Sequence, residues 1–323
     1  MARAVRFHET GGPEVLRLEE VAVAEPGPGE ALVRHAAVGL NFVDVYFRSG
    51  LYPAPLPSGL GVEGAGVVEA TGEGVTEVSV GDRVVYVGGA LGAYSTERVV
   101  PAAALIRLPD GVDFDTAAAG TLRGLTAAYL LRRIHPLKAG DTVLLHAAAG
   151  GVGLIFSQWA KLLGIDVIGT VSTEEKAELA LAHGCRDVIL YRREDVAARV
   201  RELTDGVGVP VVYDSIGKDT FESSLASLKR RGLLVVFGTA SGAPSVDVSQ
   251  LARAGSVFLT RPGLEDYLAD PADREELVGE FFGHVETGRI KVVVNQRYGL
   301  GEAARAHSEL ESARTTGSSV FLL

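Results

Sequence analysis

Between Thr142 and Gly153 the chain reads Thr-Val-Leu-Leu-His-Ala-Ala-Ala-Gly-Gly-Val-Gly, and this stretch constrains the fold more than any other. The short apolar run from Thr142 to His146 lies between Gly140-Asp141 and the glycine cluster, which is the length and composition of a buried parallel strand. Residues 153–163 then read as a helix. The turn between them has the form A-x-x-G-x-x-G, with Ala147, Gly150 and Gly153 at the key positions. Small residues there let the backbone approach a pyrophosphate, and the amides of the following helix N-terminus point at its charge. The same glycines would also suit a tight turn that serves packing alone; the flanking strand, helix and second strand favour the dinucleotide site.

Strand and helix keep alternating after this turn. Residues 166–171 read as a strand, 173–183 as a helix, and 187–190, 210–214 and 232–238 as further strands. Such alternation implies right-handed crossovers and a doubly wound parallel sheet, hence an α/β fold. The first hundred residues differ: they are rich in Val, Gly and Pro, with short alternating runs at 31–36 and 83–87, as in a compact β-rich domain. A helical stretch from Leu122 to Ile134 marks the change of texture. From about Arg261 the pattern is mostly helical, then ends in the apolar run Ser319-Val-Phe-Leu-Leu. That tail is expected to rejoin the N-terminal domain, leaving the nucleotide-binding domain inserted in the middle. A length of 323 residues suits two such domains.

Composition removes several functions. A net charge of −10 disfavours DNA, RNA or anionic lipid, which need a basic surface to displace counterions. With one cysteine, Cys185, neither an internal disulfide nor a multi-cysteine metal site can form. Cys185 follows Gly184 and reads as a small buried residue. The N-terminus lacks a signal-peptide apolar run and no stretch is long enough to span a bilayer, so a soluble cytoplasmic protein is expected.

The end of the second strand selects the nicotinamide cofactor. Enzymes using NAD place an Asp or Glu there, on the adenosine ribose hydroxyls. This chain has Thr170-Val-Ser172-Thr173-Glu-Glu-Lys176. Ser172 and Thr173 offer hydroxyls to a phosphate and Lys176 a point charge, so the 2′-phosphate of NADPH is the better match. The alternative makes Lys176 a solvated helix residue and Glu174 or Glu175 the ribose acid.

Asn41-Phe-Val-Asp44-Val-Tyr46, Gly59-Leu-Gly-Val-Glu63-Gly-Ala-Gly, Gly81-Asp82-Arg-Val and the glycine loop occur in the order typical of the medium-chain dehydrogenase/reductase superfamily. Within it, residues 41–52, Leu91-Gly-Ala-Tyr94-Ser, residues 146–153 and Val212-Tyr-Asp-Ser-Ile-Gly make the chain resemble the zinc-free NADPH:quinone oxidoreductases, the zeta-crystallin group, over nearly its whole length. The resemblance implies a GroES-like β-rich catalytic domain, 1–123 with 265–323, and a Rossmann domain with a doubly wound parallel sheet, 124–264. Zinc alcohol dehydrogenases have Gly-His-Glu and an earlier cysteine ligand; here Gly61-Val62-Glu63 stands instead and no cysteine precedes Cys185, so zinc catalysis is not expected. Glu63 reads as a structural carboxylate at a Gly-rich turn rather than a base.

The resemblance also implies site residues. Asn41, Phe42, Asp44 and Tyr46 would lie beside the nicotinamide and substrate, with Asn41, Tyr46 and Tyr52 as the catalytic candidates, and Tyr129 near the cofactor. Gly150, Gly151 and Val152 would meet the pyrophosphate, Ser172, Thr173 and Lys176 the 2′-phosphate, and Tyr191 the adenosine end. Ile216, Gly238, Thr239, Ser241, Pro262, Gly263 and Leu264 would complete the cofactor site, the last six closing over its nicotinamide half. The family arginine near the C-terminus aligns with Ala313; either Arg314 reaches the phosphate by a one-residue shift or that contact is missing. From the residues alone, Tyr46 and Tyr52 fit equally as half-buried aromatics and Asn41 as a turn residue.

Hydride transfer to a quinone needs chiefly positioning and exclusion of water, with a tyrosine or a water donating to the developing oxyanion. The competing readings are an NADPH-dependent reductase of the C=C bond of an enone or enoyl thioester, and, in another class, a nucleotide- or RNA-binding protein without essential turnover. The resemblance implies a homodimer formed edge to edge through the central sheet. Residues 254–260 fit either that edge strand or an interior one.

Overall fold

The computed structural model describes all 323 residues. The chain forms two compact units, Met1–Arg123 with Val292–Leu323, and Gly124–Lys291.

The first unit is built on a seven-stranded sheet whose long central strand, Glu30–Leu40, pairs antiparallel with Glu63–Thr71, Glu97–Pro101 and Ser318–Leu322. Strand alternation sets its faces: Ala31 and Val33 are buried and Arg34 is exposed. Val33, Val38, Leu40, Val68, Val84 and Phe321 fill the core beneath. A smaller three-stranded sheet joins Ala2–Phe7 to Arg17–Val21 and Ser58–Gly59. Directly after the long strand comes the helix Phe42–Ser49. Asp44 at its third position accepts the Asn41 backbone N–H, which starts the helix, and Gly50 ends it in the left-handed conformation that glycine adopts without strain.

The second unit holds a six-stranded, all-parallel sheet. Its spatial order is Asp187–Leu190, Asp166–Val171, Thr142–Leu145, Val209–Asp214, Leu228–Val236, Phe258–Thr260. Numbered along the chain this is 3-2-1-4-5-6, the Rossmann order, and between Thr142–Leu145 and Val209–Asp214 the sequence in which strands are added across the sheet reverses, while all strands stay parallel. Leu144, Ile168, Ile189, Val212 and Leu234 are fully buried on these strands. Truncating one such residue to Ala costs about 2–5 kcal/mol.

Three boundaries differ from the sequence reading. The helix expected from Leu122 begins at Phe114, because Asp113 Oδ1 accepts the Thr116 N–H at 2.6 Å and caps it. The strand expected from Gly232 begins at Leu228. Residues 265–291, expected with the outer segments, group with the central ones. The reason is long-range packing: the Phe281 ring lies so close to Gly124 that a Cβ there would meet it at 2.3 Å, and it stacks with Trp159. Arg133 also pairs with Asp273 and Glu276 on the helix Pro271–Glu286.

Candidate active site

In the first unit the residues marked by the Asn41–Tyr52 motif come together. Asn41 Nδ2 donates to Glu63 Oε2 at 2.8 Å, and Asp44 Oδ2 accepts from both the Asn41 backbone and the Tyr94 hydroxyl. Glu63 is fully buried; its Oε1 accepts the Leu122 N–H at 2.7 Å, and the buried Arg123 guanidinium stands 3.9 Å from its Oε2. Arg123 is itself held by the carbonyls of Ala119 and Leu40. Gly39 is required beside this carboxylate, since a Cβ there would meet Glu63 Oε2 at 2.3 Å.

Asn41 therefore bridges two buried carboxylates that share one guanidinium. Burial pushes Asp44 up to about 7, against the Asn41 and Tyr94 hydrogen bonds and the Arg123 charge that favour its ionised form. Burial likewise pushes Glu63 up to about 7, opposed first by Arg123. Asp44 Oδ1 is buried with no hydrogen-bond partner. On the same helix Tyr46 is buried, and its ring meets that of the half-buried Tyr52 edge-on at 5.2 Å and that of Phe42 at 5.6 Å. The Tyr52 N–H also donates to the Tyr46 carbonyl. Arg314 lies in the exposed turn between the helix Ala303–Glu311 and the strand Ser318–Leu322, its Nε donating to Ser312 Oγ.

In the second unit the predicted cofactor residues gather at the C-terminal ends of the parallel strands, where an open α/β sheet binds its ligand. Gly150 caps the helix Gly151–Leu162, so the amides of Gly151 and Val152 lie in its first turn. Ala147 takes a left-handed φ of 55°, and Gly153 packs so tightly that a Cβ would meet the Ala147 and Ala148 carbonyls at 2.6 Å. Only glycine fits at that position.

One strand over, Ser172 precedes Thr173, which caps the helix Glu174–Ala182 and accepts the Lys176 N–H. The Tyr191 N–H donates to the Val171 carbonyl, which sets the following loop against this turn. Arg193 Nη1 holds Glu174 at 2.6 Å. Burial, and then the charge of Arg192, push the Lys176 ammonium below its ordinary range. Arg192 was not singled out from sequence; it directly follows the predicted Tyr191.

On the other side of the sheet, the loops carrying Ile216 and Gly238–Ser241 are joined: Ser241 N–H and Oγ both donate to the Ile216 carbonyl, and the Ala240 N–H to Ser215. A Cβ at Gly238 would meet the Ser215 carbonyl at 2.7 Å, and Thr239 beside it is buried. Pro262 is buried, and Gly263 caps the short helix Leu264–Tyr267. Tyr129 stacks on Tyr267, ring centroids 4.6 Å apart. A buried group missed in the sequence links these loops: His146, Thr170, Asp214 and Ser224. The signal was present, because a histidine ending an apolar strand must find partners when buried.

Residues 27–110 match the alcohol dehydrogenase GroES-like domain family, and residues 151–262 match the family described as zinc-binding dehydrogenase. Over its full length and that of its relative, the chain is 56% identical to a quinone oxidoreductase of Pseudomonas aeruginosa. The chain belongs to the quinone oxidoreductase family. A crystal structure of the Escherichia coli family member complexed with NADPH matches with a TM-score of 0.98 at 49% identity, covering 100% of both chains. A 2-haloacrylate reductase from a Burkholderia species is 46% identical, covering 100% of this chain and 99% of its own.

A zinc ion, named in the description of one matching domain family, does not fit this member of the family. Val62 has no donor, its neighbour Glu63 is occupied by Asn41, Leu122 and Arg123, and no three His, Cys, Asp or Glu side chains cluster to hold a metal ion. A dinucleotide does fit, on the glycine turn and the hydroxyls and cations that follow the next strand.

Proposed function

We propose that this protein reduces quinones at the expense of NADPH and uses no metal. The observation that carries this reading is the full-length likeness, at about half identity, to chains named quinone oxidoreductase, one of them crystallised with NADPH. The adenosine end supports the choice of cofactor: Glu174, one of the two candidate ribose acids beside Glu175, is engaged by Arg193, while Lys176 and Arg192 supply positive charge. When bound, NADPH supplies the hydride.

The protein's own part is to bind, orient and exclude water. Gly150, Gly151 and Val152 receive the pyrophosphate, and Ser172, Thr173 and Lys176 the 2′-phosphate, with Tyr191 at the adenosine end. Tyr129, Ile216, Gly238, Thr239, Ser241 and Pro262 to Leu264 hold the nicotinamide half. Asn41, Phe42, Asp44 and Tyr46 serve nicotinamide and acceptor, and Tyr46 or Tyr52 donates to the oxygen that gains charge as the quinone is reduced. Arg314 is the one cation of the 312–317 turn available for the phosphate role of the family arginine.

The test is oxidation of NADPH and of NADH with quinones, enones, enoyl thioesters and 2-haloacrylate, with and without a chelator. Chelator-resistant, NADPH-preferring turnover of quinones is the expected result. Faster turnover of an activated C=C bond would put a second reading first, which the 2-haloacrylate reductase relative favours. Lys176→Ala is expected to weaken NADPH about tenfold, the worth of one charge-assisted hydrogen bond, and to leave NADH unchanged. An unaltered quinone rate with Tyr46 and Tyr52 both replaced by Phe would remove the tyrosines from the mechanism.

The same reading makes the protein a cytoplasmic homodimer. No helix is long and apolar enough to cross a membrane, and the lone Cys185 is buried as a free thiol. Phe258–Thr260 is an edge strand with Phe258 62% exposed, an apolar edge suited to pairing with its copy. Phe258→Glu should then give a monomer by light scattering, and a dimer that survives it would move the interface elsewhere.

A further inference from the structure

The strand ends of the central unit are joined by a chain of side-chain hydrogen bonds buried beneath the glycine turn. Ser224 Oγ donates its single proton to Asp214 Oδ2 at 2.8 Å, so toward His146 Nε2, 3.0 Å away, it can only accept. His146 therefore carries its proton on Nε2. Its Nδ1 is then an acceptor, and the Thr170 hydroxyl at 3.0 Å donates to it. Burial keeps this imidazole below its ordinary pKa, consistent with a neutral ring. All four side chains are nearly or fully buried.

Each end of this chain of bonds controls a loop. His146 directly follows the strand Thr142–Leu145 and leads into the glycine turn, while Thr170 is the penultimate residue of the neighbouring strand Asp166–Val171, two residues before Ser172. Asp214 Oδ1 accepts the N–H groups of Ile216 and Gly217, and Oδ2 also accepts the Thr220 hydroxyl. The Ile216 carbonyl in turn accepts from Ser241, and the Gly242 carbonyl from the Lys218 N–H. One imidazole thus stands between the pyrophosphate turn, the turn at the 2′-phosphate and the paired loops at 216–217 and 238–242.

We propose that His146, locked in its Nε2–H form by Ser224 and Asp214, is a positioning residue that pre-organises the NADPH site and touches neither cofactor nor substrate. A neutral ring of fixed tautomer can donate on one side and accept on the other, which no aliphatic side chain of similar volume can do. Gln keeps a donor close to the Nε2 position. The proposal rests on the reading of the central unit as the NADPH site.

The experiment compares His146→Leu, His146→Gln and Ser224→Ala with the wild type in the full chain. It measures NADPH affinity by nucleotide fluorescence and the kcat and KM for quinone reduction. It also records the wild-type imidazole nitrogen shifts by NMR. Expected are a protonated Nε2 and a free Nδ1. NADPH affinity should fall about tenfold in His146→Leu and Ser224→Ala, as for one lost buried hydrogen bond, with kcat at saturating NADPH within about twofold. His146→Gln should recover most of the affinity. Unchanged affinity in the folded Ser224→Ala protein would overturn the proposal, and so would a proton on Nδ1. A loss confined to kcat would overturn it as well. If His146→Leu fails to fold, Ser224→Ala and the nitrogen shifts still decide. Wild-type protein that binds no NADPH would instead sink the cofactor reading.

Discussion

The two units place buried polar groups by different means. Around Asn41 the first unit uses ionisable groups, two carboxylates and one guanidinium, all out of water. Around His146 the second unit surrounds its one carboxylate, Asp214, with hydroxyl and amide donors, and much of the rest is glycine packing against backbone. The difference teaches what each region is sensitive to. Charges in a low-dielectric setting respond to pH and to loss of a partner, whereas close backbone packing responds to added volume.

The largest expected effect follows from removing the cation. Arg123→Met leaves Glu63 without its guanidinium and should cost about 3–5 kcal/mol, read as a fall in thermal midpoint; a variant within 1 °C or so of the wild type would mean that the carboxylates need no counter-charge. Next comes the pH dependence of Glu63→Gln. Folding raises the Glu63 pKa to about 7, so its stabilising contribution is complete below the unfolded value of 4.5 and is lost as pH rises toward 7. Gln does not titrate, so the variant should gain on the wild type across that window by at most about 1.4 kcal/mol per pH unit, and level off above it. Unfolding curves from pH 5 to 8 check this, and a pH-independent gap would contradict it. His35 and His307, pushed by burial to about 4 and about 3, act in the opposite sense but are common to both proteins.

The second unit should answer to volume. Gly153→Ala forces a Cβ against two carbonyls and is expected to cost about 1–3 kcal/mol, expressed as weaker NADPH binding across the acidic and neutral range alike. Fluorescence titration at two pH values would show it. The smallest effect is at Ala147, whose left-handed backbone is strained for alanine. Ala147→Gly should raise stability by about 0.5 kcal/mol once the added freedom of the unfolded chain is set against the relief, and a destabilised variant would mean that its methyl group packs usefully.

What the sequence revealed follows the same division. The glycine turn, the strands from Thr142 to Asp214 and the helix that starts after Thr173 are local patterns, and they are legible because each carries its reason within a few residues. The helix start at Phe114 was obscured by Gly120 and Thr121 in its middle, although Asp113 signalled the cap. The grouping of 265–291 with the centre depends on Phe281 meeting Gly124 and Trp159, and no periodicity announces a contact of that separation. His146 with Ser224, and Glu63 with Asn41 and Arg123, were hidden for the same reason. The motif residues could be named in advance, but not the residues that hold them in place.

The strand Ser318–Leu322 lies against Glu30–Leu40, so the sheet of the first unit joins early and late parts of the chain, while the second unit is one uninterrupted segment. On the ribosome the nucleotide-binding half has all of its strands before that last one is made. The outer sheet must wait, with the Ala37–Leu40 end of the long strand lacking its Ser319–Leu322 neighbour on one side and open there to foreign strands. Vectorial synthesis therefore favours the cofactor-binding half as the first to mature, and a nascent chain stalled before Ser318 would be dangerous chiefly through its unfinished outer sheet.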